Sequence, residues 1–287
     1  MTTHDPGTPA NRPPDREATA AFAADVLRLR GAGCVYAEDE AALIHAEFAD
    51  ADRREAIVVR RIAGEPLEHL LGWAEFRGLR VAVAPGVFVP RARSGVLVDA
   101  VATALRPGAI VVELCCGAGA VSAALAAEHP GASLQLHLGD LDAAAIACAR
   151  RTLAGVGVDP SRARVGDLFG AVPAALRGRI DVVVANAPYV PTAEIALMPS
   201  EARDHEAPIA LDGGGDGLDL HRRILSEAPS WLAPHGIVVL ETSPRQAPTD
   251  LALMHAVGLV GRVVRDDDVE GTAVIGESSG APTIAPS

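Results

Sequence analysis

The segment Asn186-Ala187-Pro188-Tyr189 places a carboxamide, a rigid imide and a phenol directly after an apolar run, Asp181 to Ala185. An amide-type nitrogen is a poor nucleophile because its lone pair is delocalised. A site that transfers a group onto such a nitrogen must hold both of its hydrogens and aim it at an electrophile. The Asn186 side-chain oxygen can accept one hydrogen and the Ala187 carbonyl the other. Pro188 fixes φ beside that carbonyl, and Tyr189 offers a flat face for a planar group. Chemistry of this kind works by positioning and hydrogen bonding, without a covalent intermediate. An ordinary strand ending in an Asn-x-Pro turn would read the same, so the companion residues decide.

Those companions lie upstream. Glu113-Leu114-Cys115-Cys116-Gly117-Ala118-Gly119 ends an apolar β-branched run and opens directly into a helical pattern. Glycines there let the backbone turn sharply and approach a ligand. The next apolar run ends at Gly139-Asp140, where a carboxylate can accept from both ribose hydroxyls. Gly166-Asp167-Leu168-Phe169 follows one strand later, with an acid and an apolar neighbour able to frame an adenine. The glycine spacing is not Gly-x-Gly-x-x-Gly, and no lysine-bearing phosphate loop is present. Glu113 would repel a pyrophosphate but suit a cationic nucleoside such as S-adenosylmethionine.

The elements that must hold these residues follow from periodicity. Residues 1–16 are rich in Pro, Thr and Asp and read as a disordered tail. Residues 17–68 carry helical spacing broken at Gly31 to Gly33, and Gly64-Glu65-Pro66 ends the pattern. Residues 69–92 read as a short β-hairpin linker, with alternation over Leu79 to Val83. From residue 93 to 287, strands at Ile110–Leu114, Leu134–Leu138, Ile180–Ala185 and Gly236–Glu241 alternate with helices at Ala120–Glu128 and Ala143–Ala154. Leu259–Arg265 and Thr272–Gly276 close the chain as an antiparallel edge pair. Strands apolar on both faces, with helices between them, predict an α/β doubly wound sheet with an N-terminal helical domain.

Composition narrows the function classes. The net charge is -12, with 25 basic residues and no lysine, so a broad nucleic-acid binder is disfavoured. Arg53, Arg54, Arg60 and Arg61 read as a solvated helix face. The four cysteines contain no Cys-x-x-Cys pair and read as reduced thiols, with no metal site expected. No apolar run is long enough to span a bilayer and no secretory leader is evident, so the expected location is cytoplasmic, with no membrane partner. Asp212 to Asp219 reads as a structured turn rather than a calcium loop. His205 and His221 read as surface or supporting residues, not bases, and Trp73 and Trp231 as core residues.

Taken together, these segments resemble the protein-(glutamine-N5) methyltransferases of the HemK/PrmC type. Asn186-Ala187-Pro188-Tyr189 is similar to the Asn-Pro-Pro-Tyr motif of amino-group methyltransferases. Gly64-Glu65-Pro66 with Gly72-Trp73-Ala74-Glu75-Phe76-Arg77-Gly78 is similar to the family's Gly-x-Pro and Gly-x-x-Glu-Phe-x-Gly elements. Phe88-Val89-Pro90-Arg91, the block from Glu206 through Ala210-Leu211-Asp212-Gly213-Gly214, Asp216-Gly217-Leu218 and Arg222-Arg223-Ile224, and Glu241 with Gln246 follow in family order. Departures are Ala187 for the first Pro, Cys115-Cys116 before Gly117, Thr242-Ser243 after Glu241, and Ala92-Arg93-Ser94-Gly95 where the family has Pro-Glu-Thr-Glu.

The resemblance implies a seven-stranded, Rossmann-like S-adenosylmethionine-dependent methyltransferase sheet. The helical domain would grip a protein substrate, such as the Gly-Gly-Gln loop of a peptide chain release factor, whose glutamine nitrogen would receive the methyl group. It implies S-adenosyl-L-methionine as cofactor, held by Glu113, Cys115, Cys116, Gly117, Ala118, Gly119, Asp140, Leu141, Asp167, Leu168 and Asn186. Asn186, Ala187, Pro188 and Tyr189 would be catalytic, and Arg91, Asn186, Pro188 and Tyr189 would bind the substrate. The residues alone leave two alternatives open: an adenine N6 methyltransferase acting on RNA or DNA, and a cofactor-binding module without turnover.

Overall fold

The computed structural model describes residues 16–278, and the expected tail lies outside these except for Arg16, which opens the first helix. Contacts divide the chain into two compact units, one ending at Leu71 and the other beginning at Gly72.

The first unit is helical: α1 (Arg16–Gly31), α2 (Ala37–Glu47), α3 (Ala51–Ile62) and α4 (Leu67–Leu71). Leu29, Ala41, Ile44 and Val58 are fully buried at its centre. Asp50 caps α3 by accepting from the Arg53 amide at 2.8 Å. The arginine cluster on α3 is not simply a solvated face. Arg61 is buried and its Nε donates to Glu40 Oε2 at 2.6 Å, because a charge turned inward needs a partner.

The second unit begins with an antiparallel hairpin, β1 (Trp73–Phe76) and β2 (Leu79–Ala82). Helix α5 (Gly95–Ala102) leads into the main sheet. Its members are β3 (Ile110–Leu114), β4 (Gln135–Asp140), β5 (Ala163–Val165), β6 (Ile180–Ala185), β7 (Leu232–Glu241), β8 (Leu259–Asp266) and β9 (Gly271–Ser278). The intervening helices are α6 (Ala120–Glu128), α7 (Ala143–Gly155), α8 (Ser200–His205), α9 (Asp219–Glu227) and α10 (Ala247–Ala256). The strand order is β5-β4-β3-β6-β7-β9-β8. The first five strands are parallel, and β9 pairs antiparallel with both β7 and β8.

Alternate residues of each central strand enter opposite layers, as strand geometry requires. Val111, Val182 and Val239 pack with α5, α6 and α7. Val112, Val183 and Val238 pack with Ile224 of α9 and Met254 of α10. Burial on both faces explains the near-continuous valine runs. The chain moves outward from β3 to β4 and β5, then returns to place β6 beside β3. That reversal opens a crevice beyond the carboxyl ends of β3 and β6, where open α/β sheets take their ligands. No helix among the described residues is long and apolar enough to cross a membrane.

Candidate active site

The β3–α6 turn is built by backbone pairing. Cys116 N donates to Gly139 O at 3.1 Å and Gly119 N to Cys116 O at 2.7 Å. Gly119 has φ +74, and a Cβ there would press on Leu138 at 3.0 Å and Ala149 at 3.3 Å, so this glycine is demanded by helix packing. Gly117 differs: a Cβ there would meet nothing within 4 Å, and the residue lines an open cleft. Cys115 and Cys116 also line the cleft as free thiols. Burial pushes the Cys115 thiol up to about 12, so it presents a neutral wall rather than a nucleophile.

Asp140 ties β4 to this turn. Its Oδ2 accepts from Gly117 N at 2.8 Å and its Oδ1 from Asp142 N at 2.9 Å. Each oxygen keeps a further lone pair. Burial raises the Asp140 carboxyl above its ordinary value, against the lowering effect of those amides. Glu113 is buried more deeply. Its Oε2 accepts from Ser122 N at 2.9 Å, and burial pushes the carboxyl up to about 7. Leu141 and Leu168 complete this end of the cleft. Asp167 lines it as well, but its Oδ2 accepts from Arg223 Nη2 at 2.7 Å, so the acid is already paired with a cation.

Asn186, Ala187, Pro188 and Tyr189 line the same cleft from the end of β6. The Asn186 Nδ2 donates to Ser94 Oγ at 3.1 Å. That bond sets the carboxamide orientation and leaves Oδ1 as its acceptor end. Ser94 precedes α5 and is buried. Tyr189 Oη donates to Glu241 Oε1 at 3.1 Å, and burial with the Glu241 charge holds the phenol protonated well above its ordinary range. Gln246 Nε2 donates to Tyr189 O and to Asp216 O, each at 2.9 Å, and so clamps this loop to the 212–218 turn. A Cβ at Gly217, with φ +82, would lie 2.2 Å from Tyr189 O and 2.5 Å from Gln246 Nε2. Gly217→Ala should therefore break the clamp, at a cost of about 2–4 kcal/mol, read as a lowered melting temperature with a parallel fall in kcat/KM.

One wall of the cleft is joined from two distant segments. Gly86 N donates to His205 O and Ala207 N to Gly86 O. Glu206, nearly fully buried, accepts from Val89 N at 3.2 Å and from Arg91 Nη2 at 2.6 Å. Arg91 thus does not line the cleft; it pairs with Glu206 and sits over the Phe88 ring. Met198, Ile209 and Phe88 also line the cleft. Glu206→Ala should loosen this wall and raise the acceptor KM about tenfold, while the S-adenosylmethionine Kd stays within about twofold; steady-state kinetics beside calorimetry check it.

His221 is fully buried rather than on the surface, with Nδ1 2.8 Å from Asp250 Oδ1, and Asp250 Oδ2 accepts from Thr242 Oγ1 at 2.6 Å. Trp231 is buried and stacks on Phe169 at 5.2 Å. Trp73 is only half-buried, with Arg80 4.0 Å above its ring. Within the 212–219 turn, Asp212 accepts from Thr192 and Gly214, and Asp216 from Leu218 and Arg222. No group of three or more His, Cys, Asp or Glu side chains placed for a metal occurs among the described residues. Sequence reading did not single out Ser94 or Glu206 as partners of Asn186 and Arg91, because each pair meets only across the fold.

The fold and the cleft define a methyltransferase of the Rossmann-like, S-adenosylmethionine-dependent class. The family model for the methyltransferase small domain matches residues 78–218. A release factor glutamine methyltransferase of Streptomyces coelicolor is 42% identical over 194 residues, covering 66% of this chain and 67% of that one. A 4-amino-L-phenylalanine/4-methylamino-L-phenylalanine methyltransferase of Streptomyces pristinaespiralis is 38% identical over 209 residues, covering 70% and 69%. A methyltransferase structure from Pyrococcus furiosus superposes with a TM-score of 0.52 at 18% identity, over 80% of this chain and all of that one, which bears on the fold alone. The chain belongs to the family of release factor glutamine methyltransferases.

Proposed function

We propose that this enzyme transfers a methyl group from S-adenosylmethionine to the side-chain amide nitrogen of a protein glutamine, and that its acceptor is a translation release factor. One observation carries the reading: Asn186, oriented by Ser94, directly follows β6 and lines the same cleft as Gly117 and Asp140. A cationic nucleoside suits the residues at the β3–β4 end. Gly117 leaves room for close approach, Asp140 offers free lone pairs to ribose hydroxyls, and Glu113 supplies a buried carboxylate. When bound, S-adenosylmethionine supplies a methyl group on a positively charged sulfur.

The chain's own residues do the rest. Asn186 Oδ1 and the Ala187 carbonyl accept the two amide hydrogens and hold the nitrogen with its face toward the cleft interior. Accepting both hydrogens also favours charge on nitrogen as the new bond forms. Tyr189 packs on the planar acceptor and, being held protonated, does not act as a base. The proton lost from nitrogen passes to solvent, because an N-alkylated amide carrying the extra proton is strongly acidic. The helical unit serves as the grip on the acceptor protein.

Methyl-labelled S-adenosylmethionine incubated with a Gly-Gly-Gln-bearing release factor tests the proposal, with the product mapped by mass spectrometry. Label on the loop glutamine is the expected result. Label on nucleic acid only, or on a free amino acid of the kind named for the Streptomyces pristinaespiralis relative, would overturn the acceptor assignment.

A further inference from the structure

The acceptor end of the cleft carries a cation that the proposed transfer leaves unused. Arg93 lines the cleft beside Ser94, its side chain about half exposed at 48%. It stands where the resembled segment has a glutamate. Its Nε lies 3.4 Å from Glu241 Oε1, long for a charge-assisted hydrogen bond. Glu241 is the one carboxylate that pairs with it among the described residues, and the same oxygen already accepts from Tyr189. Its neighbours are held more closely: Arg223 meets Asp167 at 2.7 Å and Arg91 meets Glu206 at 2.6 Å.

The strand order fixes which end Arg93 serves. Glu113 is the penultimate residue of β3 and Asp140 ends β4, on one side of β6. Glu241 ends β7, on the other side, and Tyr189 follows β6. The guanidinium therefore sits beyond Asn186 from the nucleoside end. The guanidinium also lies against the Tyr189 phenol; its planar fork matches a carboxylate bidentately, and partial exposure lets it turn toward a ligand.

We propose that Arg93 is a specificity-determining residue that receives a carboxylate of the acceptor, so that glutamines with an acidic neighbour are preferred. This rests on the amide-methyltransferase reading above. The test measures binding rather than turnover. Fluorescence anisotropy would compare Gly-Gly-Gln peptides flanked by Glu, Gln or Lys on the enzyme loaded with S-adenosylhomocysteine. The Glu peptide should bind the native enzyme about tenfold tighter than the Gln peptide. That ratio should fall to about one in Arg93→Gln, persist in part in Arg93→Lys, and turn toward the Lys peptide in Arg93→Glu. A ratio within one variant is insensitive to a uniform loss of affinity or active fraction.

Equal affinities for Glu and Gln peptides, or a ratio unchanged in Arg93→Gln, would overturn the proposal. So would a loss confined to S-adenosylmethionine affinity with peptide selectivity intact, which would assign the guanidinium to the donor's own carboxylate. Failure of the underlying reading shows separately, as peptides that bind selectively yet receive no methyl group.

Discussion

Asn186→Ala should lower kcat for glutamine methylation by about 100- to 1000-fold while the S-adenosylmethionine Kd changes less than about threefold. The asymmetry follows from where the residue stands. Asn186 directly follows β6, whereas the Gly117 turn follows β3 and Asp140 ends β4, where the nucleoside would be received. Truncation removes an acceptor whose hydrogen bond strengthens as charge develops on the amide nitrogen, so the loss falls on the transition state. Ser94→Ala separates orientation from presence. It keeps the carboxamide but frees Nδ2 from its 3.1 Å partner, so the side chain can offer either end to the acceptor. A loss of about 1–2 kcal/mol, or roughly 5- to 30-fold in kcat, is expected. Single-turnover rates with matched cofactor titrations distinguish these outcomes. A Ser94→Ala enzyme as fast as the native one would remove orientation from the account, and an Asn186→Ala enzyme defective only in cofactor affinity would place the residue with the nucleoside instead.

Much of this arrangement could be read from residue order because its signals are local. Valine-rich runs buried on both faces announced β3 and β6, and the glycines after β3 announced a sharp turn. Both of these cleft-lining segments begin where an apolar run stops, so Asp140 and Asn186 could be placed at strand ends without coordinates. What escaped was long-range. Ser94 and Asn186 are 92 positions apart, and Glu206 and Arg91 are 115 apart. No periodicity records such pairs, since their meeting depends on how α5 and the 199–211 segment lie over the sheet. Strand β5 was expected before Gly166 but without bounds, because it has three residues, two of them exposed, and lacks the apolar length that marks its neighbours. The expectation that Asp167 faces the adenine had no access to Arg223, which approaches from α9. Glycines divide in the same way. The turn requirement at Gly119 was legible, whereas the close approach at Gly217 exists only because Tyr189 O is folded against it.

S-adenosylmethionine affinity should rise about tenfold between pH 6 and pH 8, and Glu113→Gln should abolish that dependence. The cause is a buried carboxyl whose pKa burial has pushed up to about 7. If the cationic ligand is favoured by the ionised form, binding at pH 6 must first remove a proton from most molecules. At pH 8 it need not, and a single site titrating at about 7 then gives roughly a tenfold change in Kd. The ligand-free protein should respond with the opposite sign. A carboxyl whose folded pKa is raised binds more protons folded than unfolded between its ordinary value of 4.5 and about 7. Its contribution to stability is therefore full below 4.5 and is lost as pH rises through that window, by up to about 3 kcal/mol. Glu113→Gln preserves the shape and an acceptor for Ser122 N but carries no charge. The variant should accordingly melt higher than the native protein at pH 8 when ligand-free, and bind S-adenosylmethionine more weakly there. Calorimetric titrations and thermal melts across pH 5 to 8, each with and without ligand, check both signs at once. A native Kd that stays flat with pH would mean that Glu113 keeps its proton beside the bound nucleoside, and would remove charge pairing from its role.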